Sequence, residues 1–538
     1  MTVSAPPPPF PDALRPSSLG SEGMAAASHP AISRAGADIL AHGGTAIDAA
    51  LAMAAVAWLA LPGQCGIGGD AFALVHEPDG TVRAFCGSGF GPDGGTPERY
   101  ADMPRLPRHG ALSVAVPGAI AALSALHRSG ATRSLTDLWA PAVALALRGV
   151  PCTARTAGDI QRHMPRLASD PDTAAALLPD GVVPPVGTRL PQPLLASSIE
   201  RLAADPAAFY TGEPAERAVA HLNGLGAPFS GDEWAATGAV RPEPAPRRRY
   251  RGHWVYQTPI PSPGWMVLDQ LAMCEGELGG APLSALEVHW LAGAARIAFA
   301  DRYARAGSDS DGWRRGGEPA TVEAARARIR AGDLPGPAGA WPGGDTTSMV
   351  AVDGEGRAVS LIHSLAFTFG AGITIPGTGI VLNNRLGRGA YLLPGHPNEV
   401  RPRRRPLHTL NAWLVTDADG RLRHVGNTPG GDGQVQWNAQ LLSHLLDHGA
   451  GPQAVVDAPR FSVFPGSDAG DLGSPSELRA EDRLGPDVLD ALRHRGHAVV
   501  PVGDWGAGGS AQVVSVDHER GCLVGGSDSR QEGVALGV

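Results

Sequence analysis

Thr346 and Thr347 stand side by side in GGDTTSMVAVDGEGRAVSLIHS, residues 343 to 364, after a Gly-Gly-Asp turn and at the start of a strand, turn, strand pattern. Threonine favours strands and Asp353 to Gly356 supplies the turn, so the stretch makes a sound β-hairpin. It also permits chemistry: if the peptide bond before Thr346 is cut, the freed amine sits beside the Thr346 hydroxyl and becomes a catalyst. Further on, NTPGGDGQVQWNAQLLSHLL, residues 427 to 446, places Gly430 and Gly431 just before a helical pattern. Free backbone N–H groups at such a place can converge on an anion. Read alone, Pro-Gly-Gly is a tight turn into a helix; beside a candidate nucleophile it supplies the second part that acyl transfer needs.

Composition removes other chemistries. The chain of 538 residues contains no lysine, so all 44 basic residues are arginine. That excludes a Walker A phosphate loop and Schiff-base lysine catalysis. A formal net charge of -9 gives no support to nucleic-acid binding, and PRRRYRG (246 to 252) reads as a solvated strand entry. Cys65, Cys86, Cys152, Cys274 and Cys522 are dispersed without C-x-x-C spacing, which favours neither a disulfide framework nor a zinc site. No cofactor and no metal are expected. The opening MTVSAPPPPFPDALRPSS shows no basic region followed by an apolar core, so no signal peptide is read there, and residues 1–20 are expected to form a mobile, proline-rich tail. LAMAAVAWLAL (51 to 61) is about half of the roughly 20 residues a membrane span needs. These features point to a cytoplasmic enzyme with a small-molecule substrate and neither a membrane nor a nucleic-acid partner.

The elements that must position the threonines follow from periodicity. Length alone suggests three or four domains of ~150 residues, but the chain has no linker near its thirds and no internal repeat. Met24 to Leu61 reads as two packed helices broken at Gly43-Gly44, and AFALVHEPDGTVRAFC (71 to 86) as a hairpin turning at Pro78-Asp79-Gly80. Helical patterns dominate the middle of the chain. AGDLPGPAGAWPGG (331 to 344) is the clear linker, and it ends at the threonines. SMVAV, AVSLIHS, GIVLNN, NAWLVTD and AQVVSV then read as strands, so strands at both ends with helices between predict sheets covered by helices on their outer faces.

Taken together these segments resemble the γ-glutamyltransferase superfamily of N-terminal-nucleophile hydrolases. The resemblance runs from about Ser21 to Gly537 and rests on GGTAIDAALA, CGIGGDAF, VPGAIAAL, PIPSPGWMVLDQL, AFADR, GDTTSMVAVDGEGRAVSLI, FGAGI, GIVLNN, RPLHTLNA, TPGGDGQ and GGSDSRQEG, in the family's order. It implies an α+β fold, a four-layer αββα sandwich, made as one precursor that cuts itself between Asp345 and Thr346 into a large subunit (21–345, after the tail) and a small catalytic subunit (346–538) that stay together. Cutting creates a base beside the nucleophile: an α-amino group with a pKa of about 7.7 to 8.0 is partly neutral near pH 7 and can take the Thr346 proton, through a water. By resemblance Ser364 holds the nucleophile, Thr347 assists maturation, and the amides of Gly430 and Gly431 form the oxyanion hole.

The substrate positions depart from the family. Enzymes that bind a γ-glutamyl group use an arginine and a serine pair for its α-carboxylate, and an aspartate and an asparagine for its α-ammonium. Here Ser88 falls at the arginine position, His408-Thr409 at the serine pair, Arg388 at the aspartate and Ala366 at the asparagine. An ammonium next to Arg388 would be repelled, so glutathione is expected to be a poor substrate. Arg385, Arg388, His408 and Arg403 to Arg405 instead suggest a pocket for carboxylates. RPLHTLNA and LNNR look closer to a divergent branch that includes enzymes hydrolysing oxamate-like amides and homologues in lincomycin and pyrrolobenzodiazepine pathways, which remove an oxalyl group. The resulting expectation is cleavage of a carboxylated acyl group from an amide or an activated C–C bond, in natural-product biosynthesis. The alternatives are a γ-glutamyl transferase or hydrolase with an unusual pocket, and an uncleaved relative acting as a binding protein.

Overall fold

Strict alternation along one strand shows how the layers form. Every residue of Thr347–Asp353 is buried; Met349 and Ala351 enter one apolar cluster while Val350 and Val352 enter another. This is the period-2 pattern of a strand covered on both faces. Its hairpin partner Ala358–Ser364 is buried throughout and pairs antiparallel with it, Thr347 opposite His363. The computed structural model describes residues 9–336, 346–468 and 473–538. Most of the 331–344 linker and the Asp345 side of the expected cut therefore lie outside the described residues.

The hairpin is central to a seven-stranded sheet ordered Val534–Gly537, Gly23–Ala27, Thr347–Asp353, Ala358–Ser364, Asp70–His76, Val82–Gly87, Glu243–Pro244. A second seven-stranded sheet runs Ser18–Gly20, Cys522–Ser527, Gln512–Asp517, Leu422–Asn427, Ala412–Thr416, His253–Gln257, Arg247–Tyr250. Phe72, Leu74, Val350, Val352 and Ile362 of the first meet Tyr256, Ala412, Leu414, Val425 and Val514 of the second. On the far side of the first sheet lies Ala46–Ala60, a helix buried on every face and accordingly apolar all round. Gly264–Cys274, Ala285–Arg305 and Gly433–Leu446 cover the second sheet. The architecture is the αββα sandwich that the sequence implied, and each sheet mixes strands from before and after residue 345.

Three local expectations are corrected. Residues 23–27 are a strand, not the start of a helix: Gly-Met-Ala-Ala-Ala is fully buried and slots between Val534–Gly537 and Thr347–Asp353. Small side chains let it fill a sheet interior where helix propensity alone would mislead. GIVLNN contributes only the two-residue strand Ile380–Val381. The tail is not free over residues 9–20. Ser18–Gly20 pairs with Cys522–Ser527, Leu14 N–H donates to Asp457 Oδ2 at 3.0 Å, and the Phe10 ring packs edge-on to His444 at 4.9 Å. Proline forbids helix, but an extended chain can still pair with a sheet edge.

Asp48 fixes the start of the Ala46–Ala60 helix. Its fully buried carboxylate accepts bonds from Thr45 N at 2.9 Å, Thr132 N at 2.9 Å, Thr132 Oγ1 at 2.6 Å and Arg133 N at 3.2 Å. Burial pushes its pKa up, but the Thr132 hydroxyl and the backbone donors outweigh burial and leave it below the usual carboxylate value. Asp48→Ala should lower unfolding free energy at pH 7 by about 2–4 kcal/mol, measured by urea titration. Because the folded value is depressed, the wild-type advantage is present above an unfolded value of about 3.9 and must shrink as pH falls through the folded one.

Candidate active site

Thr346 immediately precedes its strand, and Ser364 ends the partner strand, so the hairpin register brings the two hydroxyls together. Thr346 is 2% exposed, and its Oγ1 donates to Ser364 Oγ at 3.2 Å. Gln434 Nε2 approaches the same oxygen at 3.5 Å, with its own carbonyl held by Asn411 N at 3.0 Å. Ser364 Oγ in turn accepts from Ala366 N at 2.9 Å. Ala366 has φ +84°, a left-handed conformation that costs a non-glycine residue energy and marks a built constraint next to the two hydroxyls. Gln64 completes the surround: oriented to satisfy both ends, its amide N donates to Thr346 O at 2.9 Å and its oxygen accepts from Arg155. Thr347 Oγ1 lies 3.4 Å from the same amide. Burial pushes the neighbouring Cys65 thiol up to about 12, against the pull of its bond with Thr347, so this cysteine supplies no thiolate.

Gly430 and Gly431 occupy φ +127° and +59°. A Cβ on Gly430 would fall 2.1 Å from Cζ3 of Trp437, so the turn demands glycine twice over, by conformation and by space. Among the described residues neither N–H of this pair has an acceptor, while their carbonyls receive Gly433 N at 3.0 Å and Gln434 N at 3.1 Å as the helix begins. The pair stands just before the helix Gly433–Leu446, where the sequence places it.

Thr346 and Gly430 share the wall of a cavity of about 560 Å³. The same wall carries Arg108 and His109 from one loop, and Arg155, Asp159, Arg162, His163 and Arg166 from the helix Ala154–Leu167. Asp159 pairs with Arg162 and lies 3.8 Å from Arg155. Arg166 donates to Thr368 O and to His109, and among the described residues no carboxylate pairs with it. Burial lowers its pKa to about 10, which leaves it charged at neutral pH. Burial and then the Arg166 charge lower His109 to about 4, so His109 is neutral there and can accept from Arg166.

The residues read from sequence as the substrate pocket lie elsewhere. Ser88, Arg385, Arg388, His408 and Thr409 are all buried, and none lines the cavity. Arg385 Nε donates to Asp70 Oδ2 at 3.1 Å; His408 Nε2 sits 2.8 Å from Ser88 Oγ and 3.8 Å from Asp70 Oδ2. Burial, then the charges of Arg385, Arg302 and Arg388, hold His408 well below its ordinary value, so it is no cation for a carboxylate. Arg388 stacks 4.5 Å from the Phe367 ring and 3.8 Å from Asp432 Oδ2. Its neighbour Phe367 does line the cavity. Arg403 pairs with Asp93 and Arg404 with Asp309, while Arg405 stacks on Phe90 at 4.2 Å. The arginines on the cavity wall with Thr346 are thus a different set, and their one available signal was the row Arg155, Asp159, Arg162, Arg166, which shares a helix face. Such a row reads by default as a solvated face. Gln64 and Gln434 were inside quoted motifs but carried no signal beyond them.

A buried threonine at a strand start between two stacked, helix-covered antiparallel sheets defines the class of N-terminal-nucleophile hydrolase folds. The protein-family model for gamma-glutamyltranspeptidase matches residues 32–538. The chain is 32% identical to the glutathione hydrolase-like YwrD proenzyme of Bacillus subtilis, covering 98% of this chain and all of that one. It is 33% identical to the oxamate amidohydrolase proenzyme of Klebsiella pneumoniae, covering 97% of this chain and all of that one. Among solved structures, cephalosporin acylase from Bacillus halodurans superposes with a TM-score of 0.88 at 29% identity, covering 100% of this chain and 99% of that one. The chain belongs to the gamma-glutamyltranspeptidase family and is an enzyme of its hydrolase type.

Burial raises the Asp70 carboxyl to about 6 against the pull of Arg385, and lowers Arg385 to about 10. The pair is charged at neutral pH and depends on itself. Asp70→Asn should cost about 3–5 kcal/mol by leaving a buried guanidinium unpaired, measured by chemical unfolding. The double variant Asp70→Asn, Arg385→Met should recover more than half of that loss; no recovery would show that Arg385 is not the partner that matters.

Proposed function

We propose that the chain cuts itself between Asp345 and Thr346 and then acts as a threonine hydrolase on a carboxylated acyl group. The observation that carries this reading is the Thr346 hydroxyl held by Ser364 at 3.2 Å on the wall of an arginine-lined cavity, with Gly430 on the same wall. In the precursor, Thr346 Oγ adds to the Asp345 carbonyl, the C–N bond breaks to release the amine, and water hydrolyses the ester left behind. The mature amine takes the Thr346 proton, Oγ attacks the substrate carbonyl, and the Gly430 and Gly431 amides hold the oxyanion. The leaving group departs with the proton, and water releases the acyl group. Two relatives carrying the word proenzyme in their names support the cut.

The acyl group carries its carboxylate close to the attacked carbonyl, as oxamate does, and Arg166 is its counter-charge. The scissile bond is an amide or an activated C–C bond, and a natural-product pathway is the setting the divergent motifs favour. Arg388 acts in this reading by supporting Phe367 and Asp432, not by touching substrate.

On a denaturing gel the purified protein should give two fragments, the smaller beginning at Thr346 by N-terminal sequencing, and Thr346→Ala should remain whole; an active wild type of full length would sink the mechanism. With an oxalyl amide as substrate, Arg166→Ala should raise KM at least tenfold, the scale of a charge-assisted contact of ~1.5 to 3 kcal/mol, while self-cleavage continues. Good turnover of a γ-glutamyl anilide with poor turnover of oxalyl amides would reverse the specificity assignment.

A further inference from the structure

A second cluster lies at the opposite end of the helix that carries Gln434. His444 is in the last turn of Gly433–Leu446, His448 lies two residues beyond that helix, and Glu287 is in the first turn of Ala285–Arg305. Glu287 Oε1 is 3.0 Å from His448 Nε2 and 3.9 Å from His444 Nδ1, and all three donor atoms fall within 4.8 Å of one another. His444 is 2% exposed, and its Nδ1 is buried without a hydrogen-bond partner among the described residues. A buried, unsatisfied imidazole nitrogen aimed at a carboxylate already shared with a second imidazole needs an occupant or a cost. Glu287 is free to serve: its other oxygen, Oε2, caps Leu283 N at 2.8 Å and fixes the carboxylate plane. Phe10 closes the outside of the site, its ring 4.9 Å from His444 and 6.1 Å from His448.

We infer that Glu287, His444 and His448 bind one borderline divalent cation, zinc being the best match to two imidazoles and one carboxylate. Zinc holds nitrogen and oxygen donors at about 2.0–2.2 Å, which sets donors roughly 3.3 Å apart in a tetrahedron, so the observed cluster closes by small side-chain shifts. The remaining coordination positions go to water. The role is structural: His444 is about 15 Å along the helix from Gln434 at 1.5 Å per residue, too far to touch the reacting atoms. The ion ties the start of one covering helix to the end of another. Because Glu287 precedes residue 345 and both histidines follow it, the same ion spans the two fragments once the chain is cut.

The expectation that no metal site exists came from cysteine spacing, and the His-x-x-x-His pair was legible while its glutamate, far away in sequence, was not. The test is titration of chelator-stripped full-length protein with zinc against a chromophoric competitor, and with cobalt(II) followed by visible absorption. The expected result is one tightly bound equivalent, a cobalt spectrum of low coordination number, and a melting temperature that rises with zinc. Glu287→Gln and His448→Ala, both checked for folding by circular dichroism, should each weaken binding at least tenfold and abolish the zinc-dependent rise. Absence of stoichiometric zinc at micromolar free concentration, or equal binding by wild type and both variants, would overturn the inference. The same titration on Thr346→Ala keeps this outcome separate from that of the proposed cleavage.

Discussion

The pairing of Thr347 with His363 fixes where the Thr346 and Ser364 hydroxyls meet. In that register Thr346 and Ser364 end neighbouring strands side by side, and a slip of one residue would turn every side chain of the hairpin to the opposite face. Such a slip is costly because both faces are buried: Val350 and Val352 would leave the inter-sheet core, and Met349 and Ala351 would leave the helix-covered side. The register is therefore held by the whole sandwich and not by the turn alone. The hydroxyl geometry at Thr346 is a by-product of core packing.

The second sheet supplies the remaining groups through the same logic. Leu422–Asn427 runs out into Pro429 and the glycine turn, and the helix that follows lies flat on the outer core with Trp437 beneath Gly430. Gln434, the second residue of this helix, then reaches Thr346, which belongs to the other sheet. Thr346 and the Gly430–Gly431 turn thus come from the two halves of the sandwich. Their separation depends on sheet-to-sheet spacing, which a close-packed interior keeps constant.

Charge is divided between two populations of arginine. Arg385 and Arg388 are interior groups beside Asp70 and Asp432, and their charges add to the burial that holds His408 well below its ordinary value. Arg166 is balanced by no described carboxylate and faces the cavity that Thr346 also lines. An anion entering that cavity meets a cation whose desolvation cost has already been met by folding, a form of preorganisation that a flexible surface arginine does not offer. Arg388, for its part, meets the Phe367 ring and Asp432 in the interior.

The sequence by itself determined the parts whose neighbours are near in the chain. Thr346 at a strand start, the hairpin to Ser364, the glycine pair before its helix and the layered fold are written in local periodicity and in motifs a few residues long, where backbone geometry follows from residue type. What only the tertiary structure decided is which charged side chains meet which. Arginine is the sole strong base in this chain, so residue type cannot tell Arg166 from Arg385. Their surroundings differ because Asp70, distant in sequence, folds against Arg385, while the helix carrying Arg166 turns its charged row onto the cavity. Long-range packing sets the dielectric and the partner of each guanidinium, and neither quantity exists until the two sheets have closed on each other.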